Sequence, residues 1–303
     1  MAEPPWASIL ARRGVMIVDG GLATELEADG HDLDHPLWSA RLLVDEPAAI
    51  RSVHRRYLEA GADVIIAATY QATMRGLEAL GHDTRAAAQI LVDAVTLAVE
   101  ERDTRAPTAL VAASVGPYGA FLADGSEYRG HYGLSALALR AFHAPRWAVF
   151  QGTSADLVVA ETVPDLIEVA VLAELFAEPS AKPGWISVSC RDGAHLNDGS
   201  PIGELVPLVS SSPGVHALGI NCTAPEYVTP LLGALRDAGL DKPVVVYPNS
   251  GEVYDATARR WTGHASVRDY VALARQWRAL GAVGVGGCCR TTPEHVRALR
   301  TAL

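Results

Sequence analysis

Short runs rich in valine, isoleucine and alanine recur along the chain, and each is followed by a longer stretch with apolar residues at helical spacing. This alternation is typical of βα units that build a parallel sheet. The apolar runs predict eight strands, at Val15–Asp19, Asp63–Ala68, Ala109–Ser114, Asp156–Glu161, Trp185–Cys190, Ala217–Cys222, Val244–Pro248 and Ala282–Gly287.

The stretches between the strands predict helices, several of which begin with a proline, where its missing N–H costs least. These helices are Pro47–Ala60, Arg85–Glu101, Leu134–Phe150, Pro164–Phe176, a short Leu205–Ser210, Pro230–Ala238, Val267–Leu280 and Pro293–Leu303. Three longer irregular connections, Gly20–Glu46, Val115–Gly133 and Asn249–His264, are expected to shape a site. We therefore predict an α/β protein, a (β/α)8 TIM barrel in which residues 1–303 form a single domain.

Composition narrows the class of function. The chain has 303 residues, is 49% hydrophobic and carries a net charge of −10, which argues against a ligand with a phosphate backbone. Residues Met1–Gly14 contain no apolar run long enough for a signal peptide, and no later segment reaches membrane-spanning length. We expect a cytoplasmic enzyme or binding protein, a monomer or weak homo-oligomer, that binds small molecules and neither nucleic acid nor a membrane.

Residues that carry chemistry stand at the predicted ends of several strands. Glu161, Cys222 and the pair Cys288–Cys289 end strands four, six and eight, and Asp19 ends strand one. Active sites of such barrels lie at the C-terminal ends of the strands, and alternate strands contribute to the same layer. Glu161, Cys222 and one cysteine of the pair are therefore expected to meet, while Gly286–Gly287 allows the turn that brings in the second.

The three cysteines suggest a metal site. Adjacent cysteines pair badly, because their Cα atoms lie about 3.8 Å apart and ordinary disulfides need roughly 4.4 to 6.8 Å. Three thiolates together suggest zinc with an open fourth position, which suits a thiol substrate bound as its thiolate. Spacing alone leaves open that Cys222 and one of the pair are small buried core residues.

At these residues the sequence resembles the homocysteine S-methyltransferase family, whose members carry a cysteine after a Gly-Ile-Asn strand and a Gly-Gly-Cys-Cys motif. Both motifs are present, at Gly219–Cys222 and Gly286–Cys289. Similar segments run through nearly the whole chain, at Asp19–Leu26, Leu37–Ala40, Ala68–Thr73, Ser114–Tyr118, Leu122–Gly130 and Tyr247–Gly251. Tyr118 and Ala123–Gly130 look most like the branch that uses sulfonium donors, S-methylmethionine or S-adenosylmethionine. The betaine branch, with its C-terminal extension, and the cobalamin-dependent methionine synthases fit less well.

The resemblance implies that Cys222, Cys288 and Cys289 ligate Zn²⁺. It also implies that Asp19 and Glu161, as catalytic residues, hold the amino group of homocysteine, and a buried ammonium does require a carboxylate partner. Each carboxylate is alternatively a satisfied buried group. Further substrate-binding candidates are Gly20, Asn221 and Tyr118.

The sequence also contains candidate residues for binding the methyl donor. A sulfonium is a cation, which aromatic faces and carboxylates stabilise. Residues of these kinds lie in the long loops, although ordinary loop packing explains any one of them as well: Trp38, Tyr70, Tyr118, Glu127 and Tyr128. Water is expected in the open zinc position, because Thr162 stands where the betaine branch has a tyrosine.

Three other functions remain open at this stage. These are an enzyme whose acceptor is selenocysteine or another small thiol, a zinc- or thiol-binding protein without turnover, and a structural zinc ion that only links two strands. Cys190 matches no ligand of the family and is expected to be structural.

Overall fold

Eight parallel strands form one sheet in this computed structural model, which describes residues 3–33, 41–255, 260–262 and 266–303. The strands are β1 (Met16–Ile17), β2 (Val64–Ile66), β3 (Leu110–Val115), β4 (Leu157–Val163), β5 (Gly184–Val188), β6 (Val215–Asn221), β7 (Val244–Tyr247) and β10 (Ala282–Val285). Neighbours follow the order β1, β10, β7, β6, β5, β4, β3, β2, and a parallel bridge between Val18 and Val64 joins the two ends of the sheet. The predicted (β/α)8 barrel is therefore confirmed.

Helices cover the outside of the barrel and also fill some of its connections. In chain order they are α1 (Ala7–Arg13), α2 (Leu22–Ala28), α3 (Leu42–Asp45), α4 (Pro47–Ala60), α5 (Met74–Ala79), α6 (Thr84–Arg105), α7 (Tyr118–Leu122), α8 (Ala136–Gln151), α9 (Leu166–Phe176), α10 (Leu205–Ser211), α11 (Pro225–Asp237), α12 (Val267–Ala279) and α13 (Pro293–Ala302). Short 3₁₀ helices lie at Ser126–Tyr128 and Ile202–Glu204. Within the described residues no helix is long and apolar enough to span a membrane.

One predicted helix boundary was wrong for a physical reason. The helix placed at Pro230–Ala238 begins at Pro225 and contains Pro230 in its interior. Pro230 removes one backbone hydrogen bond, but the helix buries apolar side chains on both sides of it, Val228 and Leu231 among them. Tertiary packing therefore overrides the local signal.

The long connections were predicted as irregular, and each of them contains regular structure. The first contains α2 and α3, and the second contains α7 and the 3₁₀ helix Ser126–Tyr128. The third contains an antiparallel pair, β8 (Val253–Asp255) and β9 (Arg260–Thr262).

Apolar side chains fill the interior of the barrel, and the N-terminal segment closes its lower end. The interior cluster includes Met16, Val18, Leu157, Val159, Ala217, Val245 and Tyr247. Trp6, which precedes α1, is fully buried against Trp185 of β5, with ring centroids 5.5 Å apart in an edge-on arrangement. With the lower end filled, the C-terminal ends of the strands remain for a site.

Candidate active site

Three of the four cysteines lie together at the C-terminal end of the barrel. Cys222 directly follows β6, and Cys288 and Cys289 follow β10. The three sulfur atoms all lie within 4.8 Å of one another, and the Sγ atoms of Cys222 and Cys289 are 3.6 Å apart. The barrel thus joins residues 67 positions apart in sequence into one thiol cluster.

The backbone after these strands is shaped to present the thiols. Cys222 has a φ of 48°, in the left-handed region that residues other than glycine seldom adopt. Gly286–Gly287 lies outside that region, and the absence of side chains matters there for space. A Cβ on Gly287 would lie 2.3 Å from Oγ1 of Thr291, whose hydroxyl donates to the Cys288 carbonyl at 2.7 Å. The turn that presents the cysteine pair therefore depends on close packing more than on glycine flexibility.

The cysteine cluster fits a sulfur-preferring metal ion. Two thiolates bound to one tetrahedral zinc ion through bonds of about 2.3 Å lie about 3.8 Å apart, close to the 3.6 Å between Cys222 and Cys289. Hydrogen bonds from Cys222 and Cys288 lower the pKa of Cys289 well below its usual value, so the cluster readily holds a thiolate. Among the described residues no histidine or carboxylate joins the cluster, which leaves a coordination position for a substrate.

Two buried carboxylates lie at the same end of the barrel. Glu161 accepts a hydrogen bond from the Ser114 hydroxyl at 2.5 Å, and Asp19 accepts one from the backbone N–H of Ile66 at 2.8 Å. Burial raises the pKa of Glu161 to about 7, and the charge of Cys222 raises it as well. Burial also raises the pKa of Asp19 well above its ordinary value, with a further contribution from the charge of Glu161.

Neither carboxylate has a cationic partner in the part of the chain that the structure describes: no lysine or arginine forms an ion pair with Asp19 or Glu161 there. Two buried carboxylates close enough to repel each other are stabilised when a cation lies between them. The two buried carboxylates therefore lack a cation, and an ammonium group placed between them would stabilise their ionised forms.

A row of packed side chains runs from the interior of the barrel to Glu161. Tyr247 of β7 lies close enough to Glu161 to lower its pKa, and the Tyr247 hydroxyl accepts the indole N–H of Trp185 at 3.1 Å. Trp185 in turn packs on Trp6 at the lower end. The surroundings of the carboxylate are thus continuous with the filled core.

Asn221 and Gly20, both predicted to bind substrate, are engaged with the protein itself. Asn221 accepts the backbone N–H of Thr162 at 2.8 Å and donates to the Thr162 hydroxyl at 2.8 Å, and its amide lies 4.0 Å from Sγ of Cys288. It therefore holds the left-handed conformation of Thr162, which has a φ of 61° and is the residue before the last one of β4. Gly20 lies against Tyr57 and Thr291, each 2.9 Å from where its Cβ would be.

Tyr118 is not brought to the cysteine cluster by any of its described contacts. Its ring packs against Phe121, Tyr132 and Phe142, with centroids 4.9 to 5.7 Å apart. Its backbone N–H donates to Glu168 at 2.6 Å. These contacts place Tyr118 in an aromatic group against α8 that supports the loop after β3.

The structure places several residues in the site that the sequence did not predict there or named only among several candidates. Ser114 and Tyr247, the partners of Glu161, stand at the ends of β3 and β7, so the strand-end argument could have found them. The hydroxyl of Tyr128 lies 3.3 Å from Sγ of Cys222, a placement that no sequence spacing indicates. Trp38, another donor-side candidate, lies outside the described residues.

Cys190 lies apart from the cysteine cluster. It is buried, and burial raises the pKa of its thiol, so it stays protonated. Its backbone N–H donates to Thr223 at 3.0 Å. The fourth cysteine therefore behaves as a small core residue.

Comparisons with known proteins agree on one family. A sequence model described as homocysteine S-methyltransferase matches residues 16–303. The homocysteine S-methyltransferase of Escherichia coli K12 is 45% identical over 98% of this chain and 97% of its own length. A selenocysteine Se-methyltransferase of Brassica oleracea var. italica is 42% identical over 96% of this chain and 89% of its own length. The crystal structure of the homocysteine methyltransferase MmuM from Escherichia coli, in its metallated form, superposes with a TM-score of 0.86 at 43% identity, covering 98% of this chain and 99% of that chain.

Proposed function

The chain belongs to the homocysteine S-methyltransferase family, and from that premise we propose that it transfers a methyl group from a sulfonium donor, S-methylmethionine or S-adenosylmethionine, to the thiol of homocysteine. The observation that carries this proposal is the thiol cluster of Cys222, Cys288 and Cys289 at the same barrel end as the unpaired carboxylates Asp19 and Glu161. A thiol-binding site beside an ammonium-binding site matches the two ends of homocysteine.

The three cysteines are proposed to hold Zn²⁺. Zinc prefers thiolate ligands in tetrahedral geometry, and the spacing of the cluster suits it. When bound there, zinc lowers the pKa of a thiol that takes its open position, so that the acceptor is held as a thiolate. The surplus negative charge of three cysteine thiolates keeps that acceptor sulfur nucleophilic.

Asp19 and Glu161 are proposed to bind the homocysteine ammonium and so to direct its sulfur toward the cysteine cluster. In the absence of this cation, burial raises the pKa of both carboxylates. Binding of the ammonium favours their ionised forms, and a proton is released. The hydrogen bond from Ser114 keeps the Glu161 carboxylate oriented for this contact, with Tyr247 beside it.

Methyl transfer then requires no covalent intermediate with the protein. An electron pair of the acceptor sulfur forms the new bond to the methyl carbon. The electron pair of the broken carbon–sulfur bond stays on the donor sulfur, which becomes a neutral thioether. Because a thiolate and a sulfonium cancel each other's charge, a partly dry site favours the reaction by orienting and desolvating the two reactants.

The first test is methionine formation from homocysteine with each sulfonium donor, using zinc-loaded and chelator-treated protein. Zinc-dependent methionine production supports the proposal, and the relative rates rank S-methylmethionine against S-adenosylmethionine. Absence of turnover with either donor, in protein that binds one zinc ion, would overturn the homocysteine assignment. A protein that binds no zinc would overturn the metal site.

Variants of the cysteines test the metal ligands directly. Cys222→Ala and Cys289→Ala are expected to lose zinc and activity together, because each removes one of three ligands. Cys190→Ala is the matched control, since this buried thiol lies outside the cluster, and it should retain both. A cysteine-cluster variant that turns over normally without metal would contradict the mechanism.

A second acceptor is worth measuring in the same assay, because one relative that covers nearly the whole chain is a selenocysteine Se-methyltransferase. Selenocysteine has the same ammonium group and a more acidic nucleophile. Comparing kcat/KM for the two acceptors decides which of them the site prefers. A protein that only binds zinc or thiols would turn over neither.

A further inference from the structure

The segment of residues 116–132 between β3 and α8 lies beside the cysteine cluster. Its 3₁₀ helix, Ser126–Tyr128, brings the Tyr128 hydroxyl to 3.3 Å from Sγ of Cys222. The carbonyl of Glu127 accepts a hydrogen bond from Ser189, the residue that follows β5, at 3.4 Å. The backbone of Glu127 and Tyr128 is thus fixed against the barrel at the point where chemistry is proposed.

Buried side chains hold both ends of this segment in place. Glu168 accepts the backbone N–H of Tyr118 at 2.6 Å and the hydroxyl of Tyr132 at 3.1 Å. His143 bonds to Glu168 at 2.8 Å and to Arg146 at 2.9 Å, and Arg146 donates to the carbonyl that begins the segment. Glu168, His143 and Arg146 are all fully buried. The segment is therefore preorganised and does not depend on a ligand to order it.

The surroundings of the Glu127 side chain do not stabilise the negative charge of its carboxylate. Its Oε2 atom is buried and has no hydrogen-bond partner in the described part of the chain. Burial raises the pKa of Glu127 to about 6, the charges of Cys222 and Asp124 raise it as well, and Arg129 lowers it. Arg129 lies 3.5 Å from Asp124 and is itself well exposed. Within the described residues no lysine or arginine forms an ion pair with Glu127, and a buried carboxylate oxygen without such a partner is costly unless a cationic ligand arrives.

We propose that Glu127 binds the positively charged sulfur of the methyl donor, with Tyr70 and Tyr128 forming the adjoining walls of that site. The proposal rests on the proposed function and names the donor's binding residue within it. Burial raises the pKa of Tyr70 well above its ordinary value, and the charges of Glu127 and Cys222 raise it further, so its hydroxyl lies within electrostatic range of both groups. The donor sulfur then lies between the carboxylate and the acceptor sulfur.

The chemistry of the carboxylate favours a sulfonium over a second ammonium. An ammonium has three N–H donors and is best satisfied where several acceptors converge, as at Asp19 and Glu161. A sulfonium has no N–H to donate, and it is stabilised by charge and by aromatic contact. One buried carboxylate oxygen bordered by tyrosines provides these two features.

The experiment compares a charged ligand with a neutral one of the same shape. Homoleucine has a CH group where S-methylmethionine has its sulfonium sulfur, and both carry the same ammonium and carboxylate. The wild-type holoenzyme should bind S-methylmethionine at least about tenfold more tightly than homoleucine, measured by competition. Glu127→Gln should raise the KM for S-methylmethionine about tenfold or more and leave the inhibition constant of homoleucine unchanged. Zinc content and the KM for homocysteine should also stay unchanged.

The control is Glu174→Gln, which removes an exposed carboxylate outside this segment and should change neither constant. If Glu127→Gln weakens both ligands equally, or raises the KM for homocysteine instead, the carboxylate does not recognise the sulfonium and the inference is overturned. Should the variant fail to fold, equal affinity of the wild type for the two ligands would have the same meaning. Wild-type protein that makes no methionine from any sulfonium donor would refute the proposed function itself, a separate outcome.

Discussion

At the scale of single residues, the site uses backbone conformations that ordinary loops avoid. Cys222 and Thr162 both have left-handed φ angles, the first directly after β6 and the second near the C-terminal end of β4. Asn221, the residue before Cys222, binds Thr162 through both ends of its amide, and its Nδ2 lies 4.0 Å from Sγ of Cys288. Left-handed residues other than glycine cost energy and persist where surrounding contacts hold them. Here Asn221 supplies those contacts.

Glu161 offers a way to measure the free-energy cost of burying an ionised carboxylate. Its pKa rises from 4.5 to about 7 on folding, so the folded protein holds the proton more tightly than the unfolded chain. Stability contributed by the protonated form is therefore lost as pH rises from about 4.5 to about 7. In metal-free protein Glu161→Gln should be more stable than wild type by roughly 3 kcal/mol near pH 8 and by less than about 1 kcal/mol near pH 5.

Urea unfolding of both proteins at the two pH values checks this prediction. Glu174→Gln is the control, because this carboxylate is 68% exposed and its replacement should have a similar small effect at both pH values. An advantage of Glu161→Gln that is equal at the two pH values would mean that the buried carboxylate does not take up a proton on folding.

At the scale of secondary-structure elements, close strand packing requires glycine at particular positions. Gly184 begins β5 and pairs with Val158 of β4. A Cβ at Gly184 would lie 1.7 Å from the Val158 carbonyl oxygen, a distance that only a shift of the backbone can relieve. The β4–β5 pairing therefore depends on the missing side chain.

Gly184→Ala should destabilise the protein by about 3 kcal/mol or more, because the clash falls on backbone within a buried sheet. Gly233→Ala serves as the matched substitution: Gly233 lies inside α11 with no atom within 4 Å of its absent Cβ. There alanine should stabilise the helix by about 0.5 to 1 kcal/mol. Thermal unfolding of the two variants tests the pair, and similar transition temperatures would contradict this account.

At the scale of the whole molecule, the barrel connects its lower end to the site. Trp6 fills the lower opening and packs on Trp185, which donates to Tyr247, and Tyr247 lies beside Glu161. The N-terminal segment, far in sequence from every other member of this line, thereby helps to set the position of the site carboxylate.

Trp6→Ala should destabilise the protein by about 3 to 5 kcal/mol, because it leaves a large cavity under the barrel. It should also raise the KM for homocysteine if Trp185 and Tyr247 shift with it. Leu137→Ala is the comparison, since Leu137 is 78% exposed and its truncation should change stability by less than about 0.5 kcal/mol. Denaturant unfolding and steady-state kinetics measure the two effects. A Trp6→Ala protein as stable as wild type would show that the fold does not depend on filling the lower end of the barrel.

The sequence by itself determined the barrel and the residues at its strand ends. Hydrophobic periodicity is a local property, and the rule that active sites lie at the C-terminal ends of barrel strands converts strand order into proximity. For that reason Asp19, Glu161, Cys222 and Cys288–Cys289 could be named in advance, and the structure places all of them at one end of the barrel.

Only the tertiary structure decided what surrounds those residues. The partners of Glu161, the engagement of Asn221 with Thr162, and the placement of Glu127 and Tyr128 beside the cysteines all join positions with no fixed spacing. Local sequence patterns likewise did not indicate the proline inside α11 or the close packing around Gly286–Gly287. Such contacts arise when loops pack against a closed barrel, and the free energy of that packing is a sum over distant side chains that no local pattern contains.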